Sequence, residues 1–291
     1  MKYPLVRDLA AQGFPVRLTC GVLGLAAQPY YRWLKDPVCR RDLDDAYLVN
    51  ELVDLHHDDP EFGYRFLADE VKDRGHVVSE TRVHKLCRSH RIWSTTTKKG
   101  KKAAGKTPGP AVTGDLVQRQ FSAPAPNMVW LTDITEHPTA EGKLYLCSIK
   151  DVFSNRIVGY SIDSRETAEL ACSALRQAIS RRQPSGTVVV HSDRGGQFRS
   201  RAFQRVLKAH ELSGSMGRVA SAADNAAMES FHALLQKNVL DQRRTWATRS
   251  ELRYAIVVWI EHTYHRRRRQ RALGKLTPIE FELAFTANEA A

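Results

Sequence analysis

Cysteine is scarce in this sequence and poorly arranged for a structural role. The chain has five, Cys20, Cys39, Cys87, Cys147 and Cys172, an odd number with no C-x-x-C pair. That spacing argues against a disulfide framework and against a cysteine-rich zinc site, and makes a reducing cytoplasm the natural compartment. Long apolar runs are missing too. The opening MKYPLVRDLAAQGFP lacks the apolar centre of a secretory leader, and AIVVWI at 255–260 is far too short to span a bilayer. Negative charge is in deficit, since 32 Asp and Glu face 44 Lys and Arg, leaving a formal net charge of +12. An excess of that size favours a polyanion as partner, most commonly nucleic acid. A chain of 291 residues can bury one good-sized core and a smaller domain.

Residues 1–36 read as three short helices, LVRDLAAQ, VRLTCGVLGL and QPYYRWLK, separated by Gly13-Phe14-Pro15 and by the turn from Gly24 to Pro29. This is helix-turn-helix spacing, with Arg32 and Lys35 on the third helix as candidate DNA contacts. A small packed bundle without a DNA role has the same pattern. Residues 37–93 form a second helical unit. DLDDAYLVNELVDLHHD places Leu43, Tyr47, Leu48, Leu52 and Leu55 near helical period, and Ser79 suits the N-cap of the helix that follows it. His56, His57 and Asp58 read as a polar helix end, because no second ligand cluster is paired with them.

Residues 94–126 are basic, small and rich in Gly and Pro, as expected of an exposed linker. They contain a formal phosphate-loop match, Gly100 followed by Gly105-Lys106-Thr107. Such a loop needs an apolar strand before it and a helix after it, whereas here STTTKK precedes and Pro108-Gly109-Pro110 follows. Its lysines fit DNA phosphates or plain solvation better than a nucleotide.

Residues 127–285 change to strand patterns, with a short tail at 286–291. MVWLTDIT (128–135), KLYLCSIKDVFS (143–154) and RIVGYSID (156–163) are strand candidates. A helix over 167–182, the apolar strand TVVVHSD (187–193), a helix over 200–210 and a short strand at 212–217 follow. Further helices are expected from about 222 and over 250–266. The order predicts an α/β fold, a mixed sheet flanked by helices, and resembles a ribonuclease-H-like arrangement.

Three carboxylates stand out against this background. Asp133 sits among Val129, Trp130, Leu131 and Ile134, where a buried charge is costly unless something cancels it. Asp193 ends an all-apolar strand, and Gly195-Gly196 then lets the backbone turn away. Glu229 lies on a helix with a polar face of Asn225, Glu229, His232 and Gln236, opposite an apolar face of Met228, Phe231 and Leu235. Each acid alone is ordinary. Together, from two strands and a helix, they make a hard-oxygen site suited to Mg²⁺ or Mn²⁺, and two such ions promote phosphodiester chemistry.

The spacing Asp133, Asp193, then 35 residues to Glu229 resembles the D-D-35-E signature of retroviral-integrase-like transposases. GYRFLADE, TDIT, HSDRG, DNAAMESF and HRRRRQRALGKLTPIEF together resemble the second-frame protein (OrfB) of the IS-three family of bacterial insertion sequences, over about residues 60–283. The resemblance implies a ribonuclease-H-like integrase core acting as a DDE-type polynucleotidyl transferase. Asp133 would contact both metals, flanked by Asp193 and Glu229. It also implies double-stranded DNA ends and target as substrates, OrfA or a frameshifted fusion as partner, several copies acting together, and a bacterial cytoplasmic, nucleoid-associated location. Relatives commonly carry a lysine where this chain has Gln236, and Lys237 follows it as a candidate DNA contact. Arg266, Arg267, Arg268 and Arg269 are candidate phosphate contacts, with a solvated helix end as the plain alternative. The reading is a transposase that cuts a 3′ end and transfers the strand. A nuclease or resolvase that only hydrolyses, and a non-catalytic DNA-binding regulator, remain alternatives.

Overall fold

The computed structural model describes residues 2–58, 60, 63–94, 110–118, 120–217, 226–243 and 245–289. The phosphate-loop match at 100–107 and Asn225 fall outside them. The chain divides into two compact units, Met1–Thr95 and Thr96–Ala291.

The first unit is all helical. α1 (Tyr3–Ala11), α2 (Val16–Val22) and α3 (Ala27–Lys35) pack around Val6, Cys20 and Tyr30. α4 (Arg40–Asp58), α5 (Tyr64–Asp73) and α6 (Glu80–Ser89) enclose a separate core that includes Leu48, Leu52, Leu55, Leu67, Val83 and Cys87. Leu43 and Tyr47, part of the expected stripe, are instead exposed, because the helix turns Leu48, Leu52 and Leu55 inward. Ser79 caps α6 by accepting the Arg82 N–H at 3.2 Å. The Arg82 side chain reaches Asp45 on α4 at 2.7 Å, which ties the two helices together.

The second unit is a five-stranded mixed sheet. β1 (Val129–Thr139), β2 (Gly142–Asp151) and β3 (Ile157–Asp163) form an antiparallel meander, and α7 (Ala168–Arg182) then crosses to β4 (Val189–Ser192). α8 (Gly196–Arg199) and α9 (Arg201–Ala209) lead to β5 (Ser213–Met216), and the strand order is β3-β2-β1-β4-β5 with β4 and β5 parallel to β1. α10 (Ala226–Asn238), α11 (Arg249–Val258), a π-helical turn (Trp259–Tyr264) and α12 (Pro278–Glu289) complete it.

Strand alternation sends Trp130, Cys147, Ile149 and Val190 to the face covered by α7 and α9, and Leu131, Leu144, Leu146 and Tyr160 to the face covered by α10 and α11. β1 runs beyond the expected end at Thr135, through Pro138 to Thr139. There β1 pairs with β2 alone, so proline's missing N–H interrupts no second ladder.

The stretch expected to be an exposed linker is in part built into the core. The Leu116 N–H donates to Ser215 Oγ at 2.9 Å and the Met216 N–H to Gly114 O at 3.2 Å, while Val117 is buried. Small residues and prolines mark a chain that cannot form a helix. They do not mark one that stays in solvent.

Candidate active site

β1 and β4 run parallel in the register Val129↔Val189, Trp130↔Val190, Leu131↔His191. Asp133 lies two residues further along β1, and Asp193 directly follows the end of β4 at Ser192, so the register carried two residues on would set them side by side. Neighbouring strands lie about 4.8 Å apart. Strand parity turns Asp133 to the face carrying Leu131, under α10. A second observation agrees. Burial pushes the Cys147 thiol up to about 12, and the charges of Asp133 and Asp193 both add to that shift.

Each aspartate is oriented by its own backbone. Asp133 Oδ1 accepts the Ile134 N–H at 2.9 Å, and Asp193 Oδ1 accepts the Gly195 N–H at 2.9 Å. Asp193 Oδ2 has no hydrogen-bond partner among the described residues. The expectation that Gly195 and Gly196 supply backbone freedom needs correcting. Neither has a positive φ, and Gly195 sits at φ −60°, ψ 148°, open to any residue. What Gly195 provides is space, since a Cβ there would stand 2.9 Å from Asp193 Oδ1 and 3.1 Å from Gln197 Oε1.

Glu229 lies exposed in the first turn of α10. The helix docks by the apolar face expected of it, with Met228, Phe231 and Leu235 fully buried. One turn on from Glu229, His232 Nδ1 lies 3.5 Å from Asp133 Oδ2, and its Nε2 lies 3.4 Å from Ser148 Oγ. Ser148 is the β2 residue paired with Asp133. Burial first, with His137 and Lys150 nearby, holds the His232 pKa down to about 3, so the ring is neutral and its contact with Asp133 is not an ion pair.

Lys150, two residues along β2, is buried and donates to the Ala227 carbonyl at 3.0 Å, with its pKa drawn down to about 8 by burial. The sequence places His232 on the polar face of Glu229 without giving it a role, and does not connect Lys150 to the site. For Lys150 the signal was present: a lysine continuing the inward series Leu144, Leu146, Ser148 in KLYLCSIKD.

The three candidate carboxylates stand inside β1, just past the end of β4 and in the first turn of α10. Their oxygens, with the free Asp193 Oδ2, fit a hard divalent cation better than zinc. Among the described residues, no three acidic, histidine or cysteine side chains yet form one coordination shell. The register would set Asp193 beside Asp133, and Glu229 stands on the helix laid against Asp133.

Of the basic candidates, Arg32 and Lys35 are exposed in the last turn of α3. Arg266 and Arg267 are exposed after the π-helical turn, and Arg268 and Arg269 are half-buried. Lys237 is half-buried in the last turn of α10, and Gln236 Nε2 donates to Asp241 Oδ1 at 2.8 Å.

Such a five-stranded mixed sheet, in the order β3-β2-β1-β4-β5 with helices on both faces, has the architecture of an integrase-type catalytic core. The sequence matches the family described as Integrase core domain over residues 123–222 and again over 210–278, and an HTH-like domain over 42–100. It is 32% identical over 289 residues to the transposase InsF for insertion sequence IS3A of Escherichia coli (strain K12), covering 97% of this chain and 98% of that one. It is 33% identical over 263 residues to an uncharacterized 31 kDa protein of insertion element IS600 from Shigella sonnei, covering 90% and 96%. The chain belongs to the IS3 family of insertion-sequence transposases. A structure of the HTLV-2 integrase catalytic core domain in complex with magnesium, in trimeric form, aligns with a TM-score of 0.43 at 22% identity, over 55% of this chain and 99% of that one. The HTH-like match falls on α4 to α6, downstream of the three helices read as a helix-turn-helix.

Proposed function

We propose that this transposase cuts one strand at the end of its insertion sequence to leave a 3′-OH and then joins that hydroxyl to a target phosphodiester. Asp133, Asp193 and Glu229 would hold two divalent cations, Mg²⁺ or Mn²⁺, to do so. The observation that supports the reading is the parallel register of β1 and β4, which, carried two residues past Leu131 and His191, would set Asp193 beside Asp133. Cations bound there would activate the attacking oxygen and stabilise the leaving one. The chain's own part is to hold the donors. The Ile134 and Gly195 N–H groups orient the two aspartates, and His232 lays the Glu229 helix against Asp133.

Basic side chains supply phosphate contacts: Arg32 and Lys35 on α3, Lys237 on α10, and Arg266 to Arg269 after the π-helical turn. OrfA, or a frameshifted fusion with it, contributes recognition of the ends. Several copies act together because two ends must be held at once, in the bacterial cytoplasm at the nucleoid. Among the described residues no helix is long and apolar enough to cross a membrane.

The test is a labelled element end incubated with the protein and Mn²⁺, with and without OrfA. Nicked ends and joined products are expected. Asp133→Asn, Asp193→Asn and Glu229→Gln should each abolish both products while DNA binding persists, since each keeps shape and removes charge. Near-normal joining by any of the three would remove that residue from the site, and nicking without joining would favour hydrolysis alone.

A further inference from the structure

Lys150 is the buried charge that this chemistry leaves unused. It is 3% exposed, and its one hydrogen-bond partner among the described residues is a backbone carbonyl. Burying an ammonium is costly, and an apolar side chain of the same length would fill the place more cheaply. The carbonyl it reaches belongs to Ala227, two residues before Glu229 and 77 residues along the chain from Lys150. The same oxygen accepts the Ser230 hydroxyl at 2.8 Å, so the donors converge on the turn that carries the glutamate.

We propose that Lys150 is a positioning residue for Glu229: its ammonium pegs the first turn of α10 to β2 and so fixes where that carboxylate stands. The apolar anchors cannot do this alone. Met228, Phe231 and Leu235 decide which side of the helix lies down, but apolar contact is non-directional and permits sliding and rotation. His232 holds the helix one turn further on, beside Asp133. A second, directional bond at Ala227 sets both the axial position and the rotation of the turn between them. Only a long stem on β2 spans that gap, which accounts for a lysine at a position where Leu144 and Leu146 precede it on the same face. The inference rests on Glu229 being a metal ligand.

The experiment is Mn²⁺ binding by the full-length protein, read by calorimetry, for Lys150→Met, Glu229→Gln and the double variant, with thermal unfolding alongside. Lys150→Met should unfold at the wild-type temperature or above it. It should bind Mn²⁺ about tenfold more weakly, as expected when a ligand loses its support. Added to Glu229→Gln it should cause no further loss, because it acts through that residue. Equal losses with and without Glu229, or unchanged affinity beside a weakened Glu229→Gln, would overturn the role of Lys150 alone. Unchanged affinity in Glu229→Gln itself would instead overturn the ligand assignment. If Lys150→Met does not fold, the same measurements on Lys150→Gln decide, since an amide on a shorter stem cannot reach Ala227. Failure of both to fold would make the lysine a core element with no specific tie to Glu229.

Discussion

Gly195 shows how one missing side chain serves a neighbour. Its backbone conformation would suit any amino acid, but a methyl group there would press on the oxygen by which Asp193 is held. Gly195→Ala should therefore weaken Mn²⁺ binding and end joining by about 10- to 100-fold, as loss of outer support does, while the thermal midpoint barely moves. An alanine variant with normal Mn²⁺ affinity would show that the carboxylate has room to shift. At Gln236 and Lys237 the structure separates two side chains that sequence left in competition. The Gln236 amide is already bonded to Asp241, which favours the proposal of Lys237 as the phosphate contact. Lys237→Ala should weaken binding to element ends and lower the salt slope by about one unit. Unchanged affinity and slope would remove Lys237 from the interface. Asp133 and Asp193 stand out in the sequence because charge is conspicuous among apolar neighbours. The register between β1 and β4 is not legible there, because it is fixed by tertiary pairing rather than by either strand's own residues.

Elements were legible where their period was strong. α10 displays the two faces its sequence spells out, and α7 begins at the Thr167 cap, whose hydroxyl accepts the Leu170 N–H at 3.3 Å. The helix expected over 250–266 departs from regularity for a visible reason. A π-helical turn at Trp259–Tyr264 widens it, and Tyr264 Oη then reaches Asn155 O at 2.9 Å while His265 Nε2 accepts the Ile157 N–H at 3.1 Å. Those partners lie far away in sequence, so no local pattern announces the turn. α7 depends on β3 in a similar way. A Cβ at Gly159 would stand 2.5 Å from the Ala174 carbonyl oxygen and 2.7 Å from Ala178 Cβ, so the helix rests on bare backbone. Gly159→Ala should destabilise the core by about 1–3 kcal/mol, the range for overpacking, as measured by urea unfolding. A midpoint equal to the wild type would mean that α7 can lift without cost.

For the whole molecule, composition located the change from helical units to strand-rich core but misjudged where the core begins. Residues 113–117 line β5 through Gly114, Leu116 and Val117, although nothing in their sequence looks like core. A fragment of residues 110–291 should therefore be more stable than one of residues 127–291 by about 2–4 kcal/mol, from one buried valine and two hydrogen bonds. Equal unfolding midpoints for the two fragments would show that the segment adds nothing.

The margins of the sheet bear on how copies of this protein can meet. At β3, Gln177 Oε1 takes the Tyr160 N–H at 2.7 Å and His265 takes that of Ile157, while at β5 the Gly114 carbonyl takes the N–H of Met216. Side chains and a wrapped segment take up these donors, which shortens the run of bare peptide groups open to a visiting strand at either rim. If copies of this protein meet, β3 and β5 offer them little on which to extend one sheet into the next. Contacts through helices and loops are the ones those rims leave open.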